Sequence, residues 1–404
     1  MNSLNINDFI ANHVTGRHAS FFQQDIEAHR FLLKEEIEKK AVLVIGGGGT
    51  IGSNYIKSLL RFNPTKVVVI DNNENGLTEL VRDIRSTPGL NVPNSFITYP
   101  VNFSSAVFNK VYQYHKPFDI VANFAAHKHV RSEKDIFSVE AMLENNLLHA
   151  HTLIQLLEKE KPSHFFCVST DKAANPVNIM GATKKLMEEM VLSFASAFKC
   201  TTARFANVAF SNGSLPDGFM NRIKYNQPLS VPSDIARYFV SPQESGDICM
   251  LASVLGKSGD IYFPKFQHTQ LINFRDIAIE LLQALGFVAD ICSTEAEARE
   301  KSLLLANGSK KYPVYSFISD TTGEKLYEEF YTQDEEVDLS IYHSLGIIKN
   351  TKHQSPLSID NCMDAIKRIF KNAGVEKNDI VQLLSSYIPS FDHLEKGTSL
   401  DNKM

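Results

Sequence analysis

The sequence predicts an α/β protein built on a doubly wound parallel sheet, and three observations carry that expectation. Short apolar runs, several of them rich in β-branched residues, recur along the first half: AVLVIG (41–46), KVVVID (66–71), FDIVANFAA (118–126), HFFCVS (164–169) and TTARFANVA (201–209). Segments of helical spacing separate them, and strands that are apolar along their length belong to parallel sheets covered on both faces. Glycines stand directly between the first strand run and the first helix run, where a Rossmann-like sheet makes its first turn. A smaller C-terminal substrate-binding lobe and a helical N-terminal arm are expected around this sheet.

The elements follow in order. Residues 1–40 are polar and read as a helical arm, ending in LLKEEIEKK with charges at i,i+4 spacing. The dinucleotide-binding domain is expected over 41–265: strand 41–46, a helix in TIGSNYIKSLLRF, strand 66–71, a helix over 77–85, and the three later strand runs with helices between them. Past residue 210 the alternation breaks up; SNGSLPDGF and NQPLSVPSD are turn-rich, as a lid would be, so 211–235 reads as an excursion toward the lobe. Residues 266–404 are assigned to the substrate-binding lobe and C-terminal helices. LSIDNCMDAIKRIF and NDIVQLLSSYI read as two amphipathic helices with Ser358 and Asn378 as N-caps. There is no internal repeat and no low-complexity tract.

Composition narrows the function. With 43% hydrophobic and 22% charged residues the chain has material for a real core. A net charge of −5 without a basic stripe excludes a nucleic-acid footprint. No apolar run approaches the roughly 20 residues of a membrane span, and the start lacks the pattern of a signal peptide. The five cysteines are scattered with no C-x-x-C pair, which reads as reduced thiols in a cytoplasmic protein rather than a disulfide frame or zinc site. No metal site is expected, His127 and His129 being the nearest approach to one.

Gly46, Gly49 and Gly52 space as G-x-x-G-x-x-G around Thr50 and Ile51. Glycines there allow a tight turn and close approach of a pyrophosphate to free N–H groups at a helix start. The alternative is a glycine-rich turn with no ligand. Asp71 closes the next strand nineteen residues after Gly52, where a carboxylate holds an adenosine ribose. It would repel a 2′-phosphate, and Asn72, Asn73 and Glu74 supply no cation, so NAD is expected rather than NADP.

The strand HFFCVS delivers Ser169, Thr170, Asp171 and Lys172 at its carboxyl end, the edge where open α/β sheets bind ligands. Short-chain dehydrogenases carry Tyr-x-x-x-Lys nearby; this chain has Met180-Gly-Ala-Thr-Lys184. A thioether has no ionisable proton, so Met180 cannot do a tyrosine's acid–base work. Either the protein binds a nucleotide without chemistry, or other residues move the protons. Asp171 and Lys172 are the candidates, against the alternative of a surface ion pair; Lys184, four residues after Met180, shares its helix face.

At these residues the chain resembles a known family, the UDP-N-acetylglucosamine 4,6-dehydratases of bacterial capsule, O-antigen and protein-glycan synthesis, within the extended short-chain dehydrogenases. The resemblance rests on Ser169 through Lys184, on Ala125-Ala126-His127-Lys128-His129-Val130, on Arg204-Phe-Ala-Asn207-Val, on Ala236-Arg237-Tyr238-Phe239 and on Gly323-Glu324-Lys-Leu-Tyr-Glu-Glu329, with an echo of an arm motif at Val14-Thr-Gly16-Arg17. Thr321-Thr322 replace the family's arginine–proline, and Asn102 stands near the place of its usual aspartate. Methionine at position 180 matches a branch generally built on a membrane-anchored module, here in a form without that module.

The resemblance implies oxidation of a bound UDP-sugar at C4, loss of the C5 proton with expulsion of the C6 hydroxyl as water, and return of hydride to C6, regenerating NAD. It implies catalytic roles for Thr170, Asp171, Lys172, Met180 and Lys184, with Asp171 as acid and Lys172 as base. It implies cofactor contacts from the glycine loop, Asp71, Asn102, Ala125, Ala126 and Lys184. Substrate contacts are implied at Lys128, His129, Asn207, Arg237 and Glu324, and a homo-oligomer is implied as well. Free values of about 3.9 and 10.4 suit neither member of the pair, so burial must raise one and lower the other. Thr170 is expected to hydrogen-bond the C4 hydroxyl, whose proton passes to water or to Asp171. Retention of configuration at C5 is expected, since Met180 offers no second donor. The rival readings are a UDP-sugar 4-epimerase and a non-catalytic nucleotide-binding homologue.

Overall fold

The structure, a computed structural model, describes residues 4–320, 323–349, 353–372 and 374–395. Its centre is a nine-stranded sheet. The strands are β1 (Ala41–Ile45), β2 (Lys66–Asp71), β3 (Ser95–Pro100), β4 (Ile120–Asn123), β5 (His164–Val168), β6 (Cys200–Ala203), β7 (Ile261–Pro264), β8 (Glu336–Asp338) and β9 (Leu345–Lys349). Their order in space is β8-β9-β7-β6-β5-β4-β1-β2-β3. From β3 through β7 the neighbours are parallel; β9 and β8 add an antiparallel edge. The order reverses between β1 and β4, which opens a crevice at the carboxyl ends of those strands.

Period-two alternation builds both faces. Val42, Val44, Val67 and Val69 enter one apolar cluster, while Leu43, Ile45, Val68 and Ile70 enter another on the opposite side. Helices cover both: α1 (Thr50–Leu60), α2 (Glu74–Ser86), α3 (Ala106–His115), α4 (Ile136–Leu143) running through a π-helical turn (Glu144–His149) into α5 (Ala150–Glu160), α6 (Ile179–Ser193) and α7 (Pro242–Leu255). C-terminal helices α8 (Pro356–Ile369) and α9 (Lys377–Tyr387) bury Ile359, Met363, Ile366, Ile380 and Leu384 in the cluster that also holds α6.

A second, smaller unit contains a parallel three-stranded sheet of Leu229–Pro232, Val288–Cys292 and Lys311–Phe317, with helices Leu215–Lys224 and Phe274–Ala284 against it. The N-terminal arm inserts Phe9, Ile10 and Val14 into this unit's core. Arg17 then ties the arm to α7 through both oxygens of Glu244, at 2.7 and 2.8 Å.

The structure corrects several sequence expectations. The run 118–126 is strand only to Asn123, whose Oδ1 accepts the Ala125 N–H at 3.0 Å and turns the chain out of the sheet. The run 201–209 divides into β6 and a two-residue strand, Asn207–Val208, paired with Phe239–Val240. The helix expected over 77–85 begins earlier, at Glu74, under an Asn73 cap. Ser358 and Asn378 lie inside their helices. Ser355 is the cap of α8, with Pro356 at the first helical position where its fixed φ suits the turn, and Glu376 caps α9 in a reciprocal box with Asp379. The large sheet takes strands from both sides of residue 265, since β8 and β9 belong to it. No helix among the described residues is long and apolar enough to cross a membrane.

Where the chain leaves the sheet after β6, the Arg204 side chain is fully enclosed. Its guanidinium pairs with both oxygens of Glu188 on α6, at 2.7 and 2.8 Å, and both of Glu335, each at 2.8 Å. Burial pushes Glu335 up, and the Arg204 hydrogen bonds and charge outweigh it, leaving this carboxyl below its usual range. That contribution to stability is present above the ordinary carboxylate pKa and is lost as pH falls through the depressed folded value. Arg204→Ala would leave the enclosed Glu188 and the partly buried Glu335 with Lys185, 3.9 and 3.7 Å away, as their neighbouring cation, a cost of about 3–5 kcal/mol. Denaturant unfolding should show that loss at neutral pH, and the gap from the native protein should narrow as pH falls through the depressed Glu335 value and that carboxyl protonates.

Candidate active site

The crevice at the reversal point continues as three adjoining cavities of about 330, 280 and 610 Å3. The first lies over the glycine loop. Gly46, Gly49, Thr50, Ile51, Gly52, Asp71, Asn102, Ala125 and Ala126 all line it, as does His127. The glycines are required sterically: Gly46 has φ +79°, and a Cβ there would stand 2.6 Å from the Ala125 nitrogen. A Cβ on Gly52 would stand 2.3 Å from the Gly46 carbonyl oxygen, so α1 packs against its own loop only without one. Gly49 precedes α1 with no side-chain cap, which leaves N–H groups of the first turn available to an anion. Asp71 Oδ2 accepts the Gly48 N–H at 2.8 Å and Oδ1 the Asn73 N–H at 2.9 Å, fixing the loop and the next turn with one carboxylate.

The middle cavity is walled by Thr170, Lys172, Met180, Lys184, His129 and Asn207, and shares Ile51, Phe124, Ala126 and Lys128 with the first. Asn178 caps α6 through the Gly181 N–H at 2.7 Å. Glu133 Oε1 accepts the Met180 N–H at 3.0 Å, which uses the methionine's backbone and leaves its thioether to the apolar cluster. Lys184 is buried and donates to the Val168 carbonyl at 2.6 Å; burial holds its ammonium below the ordinary lysine range, against opposition from Cys167 and Glu188.

Asp171 is the centre of a tight cluster. Its Oδ1 accepts from Thr170 Oγ1 at 2.9 Å and from Lys172 Nζ at 3.0 Å. This direct pairing overturns the expectation that Lys172 is shifted down: burial does lower it, but the Asp171 and Glu328 carboxylates outweigh burial and hold the ammonium above its ordinary range.

The third cavity, continuous with the second through Lys128, His129 and Lys172, adds Arg131, Arg222, Arg237, Glu324 and Glu328. Arg237 donates to the carbonyls of Ala236 and Leu326 and stands 3.6 Å from Glu324 and 3.8 Å from Glu328. Burial lowers Lys128 and His129, with Asp217 opposing the shift at Lys128 and the neighbouring cations Lys128 and Arg131 reinforcing it at His129.

Every proposed site residue thus lies on one of the three cavities except Asp171, which sits behind Thr170 and Lys172. Thr321 and Thr322 lie outside the described residues. Glu328 and Glu133 were not singled out from the sequence; Glu328 stood within the quoted Gly323–Glu329 stretch, and Glu133 had no pattern to mark it. Backing comes from distant chain: Asp392 and Leu394 donate N–H groups to the carbonyls of Pro176 and Val177, and Gly323 donates to Leu394. Among the described residues no group of three or more His, Cys, Asp or Glu gathers as a metal site.

Comparison with known proteins places this architecture. The capsular polysaccharide biosynthesis protein CapD of Staphylococcus aureus is 26% identical over 325 residues, covering 79% of this chain and 50% of CapD, so the chain spans about half the length of that relative. A UDP-glucose 4-epimerase of Rickettsia akari is 29% identical over 237 residues, 56% of this chain and 66% of that enzyme. Among solved structures, Pen from Bacillus thuringiensis superposes with a TM-score of 0.62 at 22% identity, covering 82% of this chain and 98% of Pen, a likeness of fold. The family model described as polysaccharide biosynthesis protein matches residues 42–350, from the first strand of the sheet to the end of its antiparallel edge, and the chain belongs to that family.

Proposed function

We propose that the protein is a UDP-N-acetylglucosamine 4,6-dehydratase working with bound NAD. The observation that carries the reading is the Thr170–Asp171–Lys172 cluster where the glycine-loop cavity meets the cationic outer one. A site that only oxidised and reduced C4 would have no use for a buried acid–base pair there. The first cavity fits a dinucleotide, with a wall free of Cβ atoms at its glycines, unsatisfied N–H groups at the start of α1, and Asp71 beside it. No arginine or lysine adjoins Asp71 in sequence, which favours NAD over NADP. Lys128, Arg131, Arg222 and Arg237 around the outer cavity suit a diphosphate.

The glycine loop, Asp71, Asn102, Ala125 and Ala126 would hold NAD in the first cavity, where it would supply a reversible hydride acceptor for the sugar. Thr170 would hydrogen-bond the C4 hydroxyl, with the Lys184 charge favouring loss of its proton. The resulting ketone acidifies C5, Lys172 takes the C5 proton, and a carboxyl supplies the proton with which the C6 oxygen departs as water. Lys172 then returns its proton to C5 from the side it left, retaining configuration. A UDP-sugar 4-epimerase would share the first step and no more.

Incubation with UDP-N-acetylglucosamine followed by mass spectrometry tests the reading. A product lighter by one water supports it, an isomer of unchanged mass would mean an epimerase, and unaltered substrate would mean neither. Proton NMR of the product made in deuterium oxide reads C5, where a predominantly inverted sugar at early times would refute retention. The cofactor released on denaturation should be NAD; mainly NADP would show that a cation from elsewhere reaches the ribose. Asp171→Asn and Lys172→Ala should each keep the cofactor and lose at least about 100-fold in turnover; near-normal rates would remove the residue from the mechanism. Met180→Leu, similar in volume and without the thioether, should keep most activity, and a loss matching that of Lys172→Ala would give the sulfur a role not assigned to it.

A further inference from the structure

The carboxyl best suited to the leaving hydroxyl is not the one beside Lys172 in sequence. Asp171 lines none of the three cavities, and its Oδ1 is already engaged by Thr170 and Lys172. Glu328 lines the outer cavity together with Lys172 and Arg237, although only 5% of its surface is exposed. Its Oε1 stands 3.6 Å from Lys172 Nζ and 3.8 Å from an Arg237 nitrogen. Its Oε2 is buried and accepts no hydrogen bond from the described residues, with Lys325 Nζ 4.0 Å away. An enclosed carboxylate oxygen left without a donor has lost its hydration with nothing in exchange. A proton on that oxygen, or a ligand hydroxyl against it, makes good the loss.

Resting on the dehydratase reading, we infer that Glu328 is the general acid that protonates the departing C6 hydroxyl, and that Asp171 instead receives the proton Lys172 must give up to become a base. The charges favour this division. Burial raises the affinity of Glu328 for a proton; Asp171 adds to the effect, while Lys172, Arg237 and Lys325 oppose it, and the carboxyl ends above its ordinary range. Lys172 is held as an ammonium bonded to Asp171 at 3.0 Å. One proton passing along that bond turns the ion pair into a neutral amine, which can act as a base, and a carboxylic acid.

The step then balances. The amine of Lys172 takes the C5 proton, the C5–H electron pair becomes the C5–C6 double bond, and the C6–O bond breaks as its oxygen takes the Glu328 proton and leaves as water. After hydride reaches C6, Lys172 returns its proton to C5 and recovers one from Asp171. Glu328 is reloaded by one proton, equal in number to the one the C4 hydroxyl released.

The test compares UDP-N-acetylglucosamine with its 6-deoxy-6-fluoro analogue, whose fluoride leaves without needing a proton. Glu328→Gln should lose at least about 100-fold in water elimination from the natural sugar, while still forming reduced nicotinamide by absorbance and still releasing fluoride at a rate within about tenfold of the unaltered protein. Asp171→Asn should be impaired on both substrates, because Lys172 then has nowhere to pass its proton. Dehydration by Glu328→Gln at a near-normal rate would overturn the inference, as would equal impairment on both substrates, which would mark Glu328 as a positioning residue. If the unaltered protein removes no water from UDP-N-acetylglucosamine, the dehydratase reading itself fails, and that outcome is visible before any variant is made.

Discussion

Much of the candidate site depends on one enclosed cation and its two carboxylate partners. The Arg204 guanidinium holds Glu188 on α6 and Glu335 ahead of β8, and also donates to the Phe330 carbonyl at 3.0 Å. Glu188 in turn accepts from Ser169 Oγ at 2.6 Å, at the mouth of β5. A single cation therefore fixes the strand end that carries Thr170 and Asp171, the helix that carries Met180 and Lys184, and the segment that follows Glu328. Apolar packing alone would leave these three pieces free to slide; fork-shaped hydrogen bonds to two carboxylates set their distances. The same arrangement explains why Arg204 is so deeply buried: its charge is balanced twice over before any water is needed.

Helix α6 is the second fixed body. Nearly all of its residues are buried, which a surface helix with one wet face never shows. β5 and β6 lie on one side of it and α8 and α9 on another. Side chains on such a helix lose rotamer freedom to their neighbours, and a site built on it is held more closely than one built on a loop. Gly181 belongs to the same account, since a Cβ there would stand 2.7 Å from the Lys172 carbonyl and push the turn and the helix apart.

The parts legible in the sequence were those with a local signature. Strands 41–45 and 66–71 announce themselves by unbroken apolar runs, and the glycine loop and Asp71 by spacing. Positions with no local signature were not legible. β3, SFITYP, is partly exposed along its middle and carries no buried run, and β9 and the edge strand β8 take their places from antiparallel pairing, β9 with β7 and β8 with β9. The split of 201–209 follows from Arg204 finding partners 16 and 131 residues away, which no window of sequence contains. Glu328 was visible as a residue and invisible as a neighbour of Lys172, because a carboxylate's protonation is set by what surrounds it in space. Asp171 and Lys172 were identified as a pair, but their direct contact, and its effect on the lysine, became apparent only with distances.

The backing of the catalytic turn by Asp392 and Leu394 has a consequence for how the molecule comes to be active. Those hydrogen bonds join Pro176 and Val177 to residues made long after the parallel strands that surround them. Chain synthesis delivers β1 through β6 and α6 first, and contacts local in sequence form before those that close long loops. The sheet and its glycine crevice can therefore assemble while the turn bearing Asp171 and Lys172 still lacks its outer support. Competence to bind a nucleotide should precede competence to position a sugar, with the C-terminal segment acting as the last stitch that converts a folded domain into a working one.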